Sequence, residues 1–485
     1  MHHHTSKGKK RAQLTFVYSL MVIAVIATVA VLVLVIQGYR FNRFDGRVEQ
    51  GGLVQFDSRP SGATVAIDGM QLANKTASKI TLSAGSHTVT MSRDGYTTWT
   101  KTVNVNAGSV LWLNYARLFL VSPSVTTQAS YDGFAGALVS PNRKQLVTVA
   151  APTIATIYVT PVDDDKSTTR KVAINATSVT PATDAATTSY SLVSWDHDDR
   201  YVIVKHAFDN TAEYLSVDTQ NGDTRNITRL LGVSISRVEY ALGDSSSVYM
   251  LNADHQVRRG DLNASTLSGP LLTNIADFAQ ADRSTLTYET LLSDKRTRSV
   301  GYLTSGASAP RIVRTVTDDG TNALKFRMGA YYGDQFFAIA YGDVTNIYDA
   351  DVPSSDASNA PKLTRIANLT TTGGVKYLGF SPADNRFVYA QQSTSAATYD
   401  LEVGSASSVK FQGNTARELD WIDEFHIGST AGGVAYSYDF DGTNGQLVAS
   451  SAIDAPMTIS NNDKYMYYLE PSDTKVLLKR IQLIK

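Results

Sequence analysis

The chain has 485 residues, with 44 basic and 45 acidic side chains and a formal net charge of -1 at pH 7. That balance excludes a global electrostatic pull toward nucleic acid or acidic lipid, and the length allows two or three domains with sizeable cores. Cysteine is entirely absent, which excludes disulfides, thiolate zinc sites, iron–sulfur clusters and cysteine nucleophiles.

Residues 1–13 form a basic stub carrying Lys7, Lys9, Lys10 and Arg11. The run from Leu14 to Ile36 holds no charged residue, and its polar interruptions are Thr15, Tyr18, Ser19 and Thr28. About 23 residues at a 1.5 Å rise give a helix of ~34 Å, enough to cross a hydrocarbon core of ~30 Å. The spacing predicts a transmembrane helix over 14–37. The cationic stub reads as cytoplasmic, so the bulk of the chain is expected outside, although Arg40, Arg43 and Arg47 dilute the bias. A cleaved secretory signal is the competing expectation. Ala27-Thr28-Val29-Ala30 has suitable residue types, but the apolar run continues past it to Ile36, and an uncleaved anchor fits better. His2–His4 have no fixed geometry at a chain end and read as a tag remnant or a chance cluster, not a metal site. Residues 38–50 read as a juxtamembrane linker.

From 51 to 120 short alternating strands are broken by turn residues. Val54 and Phe56 alternate with Leu53, Gln55 and Asp57; Arg59-Pro60-Ser61-Gly62 makes a turn, and Asp68-Gly69 suits a hairpin because glycine supplies positive φ. A further turn falls at Asp94-Gly95, after which Trp99, Val103 and Val105 are expected to point inward. The pattern is that of a small β-sandwich. Pro60-Ser61-Gly62-Ala63, Val65, Ile67, Asp68-Gly69, Leu82, Gly85, His87, Val89, Gly95-Tyr96 and Gly108 together resemble the PEGA domain family. That resemblance implies an Ig-like sandwich of bacterial and archaeal envelope and surface-layer proteins, an extracytoplasmic interaction or spacer module with no catalytic residues to carry over. The family's Gly-x-Thr-Pro segment is replaced by Asn74-Lys75-Thr76-Ala77, so the central loop is expected to be shaped differently. His87 reads as a structural strand residue.

Residues 121–485 repeat loosely at ~40–50 residues, the length of a four-stranded propeller blade. Four clear copies begin at Ala137-Leu138-Val139-Ser140-Pro141, Leu192-Val193-Ser194-Trp195-Asp196, Tyr377-Leu378-Gly379-Phe380-Ser381-Pro382 and Met457-Thr458-Ile459-Ser460. Each runs through a polar turn into a second apolar strand. Weaker copies sit at Val238–Tyr240, Ile275–Phe278, Phe326–Met328 and Leu419–Trp421. The Ser-Pro-x-x-x-Arg-Phe-Val-Tyr turn resembles TolB-like and WD40-like propeller repeats, with Asn, Asp and Ala replacing the usual Pro-Asp-Gly. The expected fold is mainly β: membrane helix, small sandwich, then a propeller of seven or eight blades. The stretches Thr177–Thr188 and Pro353–Pro361 read as inter-strand loops.

No catalytic set is visible. Gly-x-Ser-x-Gly, His-Glu-x-x-His, a phosphate-binding loop and a dinucleotide fingerprint are all missing. His87, His197, His206, His255 and His426 are widely spaced. Asp196-His197-Asp198-Asp199 reads as turn chemistry. Asp439-Phe440-Asp441-Gly442-Thr443-Asn444-Gly445 starts like a calcium loop but lacks the later bidentate Glu, and reads as a hairpin turn. Asp163-Asp164-Asp165 reads as solvated loop. The sequence therefore assigns no catalytic, cofactor-binding or metal residue and implies no cofactor. The expected function is a non-enzymatic, membrane-anchored extracytoplasmic binding or scaffold protein of a prokaryotic envelope. Its expected partners are envelope proteins or cell-wall polymer, and not nucleic acid. The alternatives are a propeller-type carbohydrate-active enzyme with carboxylates converging from separate blades, and a structural surface-layer component.

Overall fold

The computed structural model describes residues 7–36, 39–42, 47–163, 168–318, 320–352 and 360–485. His2–His4, Arg43, Asp164, Asp165 and most of the Pro353–Pro361 stretch lie outside them. The chain divides into two compact units, Met1–Ser122 and Pro123–Lys485.

In the first unit, helix α1 (Lys7–Ile36) contains the whole apolar run, and Leu14–Val35 is long and apolar enough to cross a membrane. The rest is a sandwich of two four-stranded sheets. One sheet holds Tyr39–Asn42, Arg47–Arg59, Ser78–Ser83 and Val110–Arg117, with Val110–Arg117 parallel to Arg47–Arg59. The other holds Thr64–Ile67, Met70–Lys75, Gly85–Ser92 and Trp99–Val105. Part of segment 38–50 is thus paired strand. The inward alternation follows the pleat: Val54, Phe56, Val65, Ile67, Val89, Met91, Trp99, Val103 and Val105 are all buried. Trp99 meets Tyr115 edge-on at 5.8 Å. Asp68 and Gly69 both take positive φ, as a two-residue hairpin turn requires. In place of the family's Gly-x-Thr-Pro, the Thr76 hydroxyl is buried between Ser58 Oγ (2.7 Å) and the Ala63 amide (2.9 Å).

The second unit is a ring of eight four-stranded antiparallel sheets. The first strands of blades one to eight are Gly136–Val139, Ser189–Trp195, Ile235–Ala241, Ile275–Gln280, Leu324–Tyr331, Tyr377–Phe380, Asp420–Trp421 and Thr458–Ile459. The eight sequence copies fall one per blade, each at this strand. Neighbouring first strands lie against each other, as in blades one to three and five to six, so they surround the axis. Blade eight takes its outermost strand from the start of the unit: Val125–Tyr131 pairs with Lys475–Gln482 and closes the ring. Apolar clusters fill the seams, such as Val147 and Val159 against Val202 and Val204, and Leu469 and Leu478 against Leu146 and Val162. One four-stranded sheet cannot bury both faces, and stacking around an axis does so without leaving long open edges.

The repeat motif is a turn device. Ser140 Oγ accepts from the Lys144 and Gln145 amides, Asp196 Oδ1 from Arg200 and Tyr201, Ser381 Oγ from Phe387, and Ser460 Oγ from Tyr465. The arginine of the motif then pairs with an aspartate ending the third strand: Arg200 with Asp218 and Arg386 with Asp400. The Thr177–Thr188 stretch joins blades one and two. Glu213 holds it by accepting from both the amide and the hydroxyl of Thr180, each at 2.7 Å.

Candidate functional site: the axial cavity

A cavity of about 810 Å³ runs beside the axis along the first strands and following turns of blades one, six, seven and eight. Its volume is in the range of small-ligand sites. Tyr377, Phe380, Tyr389 and Trp421 supply its aromatic surface. Trp421 is fixed by stacking on Phe387 (5.5 Å, 11°), which itself stacks on Phe440 at 4.3 Å. Arg143, from the first turn of blade one, donates to the Ile422 carbonyl of blade seven at 2.6 Å and so bridges over blade eight.

Three of the four acids lining the cavity are engaged. Tyr389 donates to Glu418 at 2.6 Å; burial first, then the Glu418 charge, hold this phenol well above its ordinary pKa, so it remains a donor. Arg417 pairs with Asp420 at 2.9 Å, and Asp420 also accepts from the Met457 amide. Asp423 accepts from the Phe425 and His426 amides and from the His426 ring. Burial alone would lower the His426 pKa. Asp423 and Asp439 outweigh it and raise the value to about 9, making the ring an imidazolium held between two carboxylates. Of these acids Glu424 stays exposed.

The inner wall of blades three to five is built otherwise. Arg237 contacts both Glu239 (3.4 Å) and Asp277; Arg327 lies 3.9 Å from Asp277 and 3.7 Å from Glu289. Gln280 donates to Glu239 at 3.1 Å. Burial raises the pKa of Glu239 and of Glu289; Arg237 chiefly opposes the shift at Glu239, and Lys325 and then Arg327 at Glu289. This wall is a continuous chain of alternating charge.

The acidic clusters and histidines of the sequence do not converge on the cavity, apart from Asp423 with His426. Asp196 and Asp198 both accept from Ser245, and Asp199 accepts from the Asn142 amide. Asp439 and Asp441 accept from Thr443 and Asn444 within their own turn. Asp163, expected to be merely solvated, accepts from the Asn461 amide and ties blade one to blade eight. His206 is sandwiched between Tyr190 and Phe208 and contacts Glu213 at 3.0 Å. In the sandwich, His87 lies 2.7 Å from Asp68, and its other nitrogen sits 2.9 Å from the Ser83 carbonyl but 3.4 Å from the Ser83 hydroxyl. The Ser–His–Asp order is there; the Nε2 proton points to a carbonyl, so the serine is not activated. Among the described residues no group of three or more His, Asp or Glu could hold a metal ion.

Sequence reasoning missed the cavity because its residues come from turns hundreds of positions apart. One signal was available. Charged residues recur in or just before the inner strands, Arg237-x-Glu239, Lys325-x-Arg327 and Arg417-Glu418-Leu419-Asp420, where a strand buried on both faces would be continuously apolar.

Residues 52–117 match the PEGA domain family. A search of curated proteins finds no match to the chain. Among solved structures it is similar to the β-propeller domain of Cps50 (Swd1) from Myceliophteria thermophila, at 10% identity and a TM-score of 0.40, covering 74% of this chain and 99% of that one. It is also similar to the computationally designed Ika8 protein (13% identity, TM-score 0.44, 74% and 99% covered). An oligogalacturonate lyase in complex with manganese gives 12% identity and a TM-score of 0.41, with 68% and 97% covered. By its own helix, family match and sheet topology the chain combines an apolar N-terminal helix, a PEGA domain and a β-propeller.

Proposed function

We propose that this protein is a membrane-anchored, extracytoplasmic binding platform of a prokaryotic envelope, and that the propeller presents its axial cavity to an envelope partner. The observation that carries this is the state of three of the four cavity acids, the fourth, Glu424, being an exposed rim residue. Glu418, Asp420 and Asp423 are each engaged by a fixed neighbour, Tyr389, Arg417 and His426. Glycoside cleavage calls for two carboxylates on either side of the scissile bond, one ready to give a proton and one free to act as base or nucleophile. Engaged acids beside rigid aromatic rings suit recognition. The ring of blades keeps the turns rigid, which lowers the entropy lost on binding.

Placement is tested by single-cysteine labelling, because the chain has no cysteine of its own. Ala383→Cys, on the exposed turn of blade six, reacts with a membrane-impermeant maleimide in intact cells. Lys10→Cys reacts only after permeabilisation. The reverse pattern overturns the proposed orientation.

A further inference from the structure

In the first turn of blade one, Arg143 occupies a position that the equivalent turns of blades two, six and eight give to Asp199, Asn385 and Asp463. All four residues have left-handed backbone, with φ of 59°, 57°, 62° and 57° in that order. Aspartate and asparagine tolerate that conformation, whereas arginine is strained in it. Strain of this kind persists where surroundings or function hold it. The Arg143 side chain lines the axial cavity, where it makes a single hydrogen bond, to the Ile422 carbonyl, and no ion pair among the described residues. The other N–H donors of its guanidinium are not used by the protein. On the same lining, Glu418 accepts from the Tyr389 hydroxyl through Oε1 and has no cationic partner, and Glu424 has no polar partner among the described residues. The rings are held in place: Trp421 stacks on Phe387, and Tyr377 donates to the Ala416 carbonyl. The Trp421 indole N–H is buried without an acceptor, although buried polar groups in native proteins are satisfied by protein, water or ligand.

Resting on the platform reading, we infer that the axial cavity receives the end of an uncharged oligosaccharide, with Arg143 as its principal donor. The cavity holds uncompensated groups of both signs. Arg143 opposes a cationic occupant, and Glu418 with Glu424 opposes an anionic one. A hydroxyl both donates and accepts, so a neutral polyol satisfies the guanidinium and the carboxylates together. The C–H face of a pyranose packs on aromatic rings such as Trp421 and Tyr377, whose faces carry partial negative charge. At about 810 Å³ the cavity is of a size that takes a ligand larger than one sugar ring. An extended peptide fits less well. Pairing one to a sheet needs a length of free strand edge, and the inner strands of blades seven and eight, Asp420–Trp421 and Thr458–Ile459, are only two residues each.

The test presents the full chain in lipid nanodiscs to an array of immobilised glucose-, mannose-, galactose- and N-acetylglucosamine-based oligosaccharides, with oligouronates and a proline-rich peptide alongside. Saturable binding of at least one neutral series with a Kd of about 100 μM or tighter is expected, with none of the oligouronates. Trp421→Ala is expected to weaken that binding at least about tenfold. Because Trp421 also supports its neighbours, Arg143→Asn is the second variant. It installs the residue of the equivalent blade-six turn, so the fold is kept, and it is expected to weaken binding about fivefold. A purely structural Arg143 would leave the affinity unchanged. Trp112→Ala, which removes an exposed ring of the sandwich, leaves binding as it was. A blank neutral series overturns the inference, as does wild-type affinity in Arg143→Asn, an equal loss in Trp112→Ala, or oligouronate or peptide binding that Arg143→Asn abolishes. A photo-crosslinking residue at Ala383 separates the two levels. Protease-sensitive adducts in cells with a blank neutral series leave the platform standing and remove the oligosaccharide. Absence of both removes both.

Discussion

The two walls of the propeller axis are built around the first strands of different blades and handle charge differently. In blades three to five, Arg237, Glu239, Asp277, Arg327 and Glu289 lie in a lateral chain of alternating charge. In blades six, seven, eight and one, three of the four lining acids, Glu418, Asp420 and Asp423, are engaged locally and the aromatic side chains are left lining open space. A propeller blade fixes where the inner strand lies, and the residue types on that strand determine whether its surface is consumed by the protein or left to a ligand. The closed wall contributes cohesion between blades; the open wall contributes a site.

The contrast can be broken by substitution, and the largest effect is expected beneath the open wall. Arg386→Ala leaves Asp400 buried without its counter-ion, and a loss of about 3–5 kcal/mol is expected in urea or guanidinium unfolding. On the closed wall, Arg327→Ala strips a shared partner from Asp277 and Glu289 and should cost about 1.5–3 kcal/mol, with partner binding unchanged. If it abolished binding and spared stability, the assignment of the walls would be reversed.

A conditional effect comes from His426. Its folded pKa of about 9 lies above the ordinary 6.5, so the folded state holds the proton more tightly than the unfolded chain. That contribution is fully present below pH 6.5 and is lost as pH rises through about 9. Unfolding midpoints compared at pH 6 and at pH 9.5 should fall for the wild type more than for His426→Gln. Equal falls refute the imidazolium. The smallest effect is expected at the rim: Glu424→Gln should change stability by no more than about 0.5 kcal/mol while weakening partner capture.

Much of the fold was legible because turn chemistry is local. Ser140, Asp196, Ser381 and Ser460 accept amides of their own turns, so a short stretch of sequence carries the whole device, and those four copies stand out. Blades three and five close through two residues, Leu242-Gly243 and Tyr332-Gly333. Such a turn has no room for the serine-pinned loop, which is why their copies are faint. In blade seven a histidine–aspartate pair, His426 with Asp439, stands near where blades two and six use arginine and aspartate. The sandwich core was readable from alternation alone, as at Trp99, Val103 and Val105. The cavity was not readable. Arg143 and Ile422 meet across 279 positions, and nothing in either neighbourhood announces the other.

The account rests on the open wall being where a partner docks. Photo-crosslinking residues placed at Ala383, on the rim of the open wall, and at Leu242, on the corresponding turn above the closed wall, measure this directly in intact cells. Adducts at Ala383 with few or none at Leu242 are predicted. Equal adducts at both positions, or adducts confined to Leu242, contradict it.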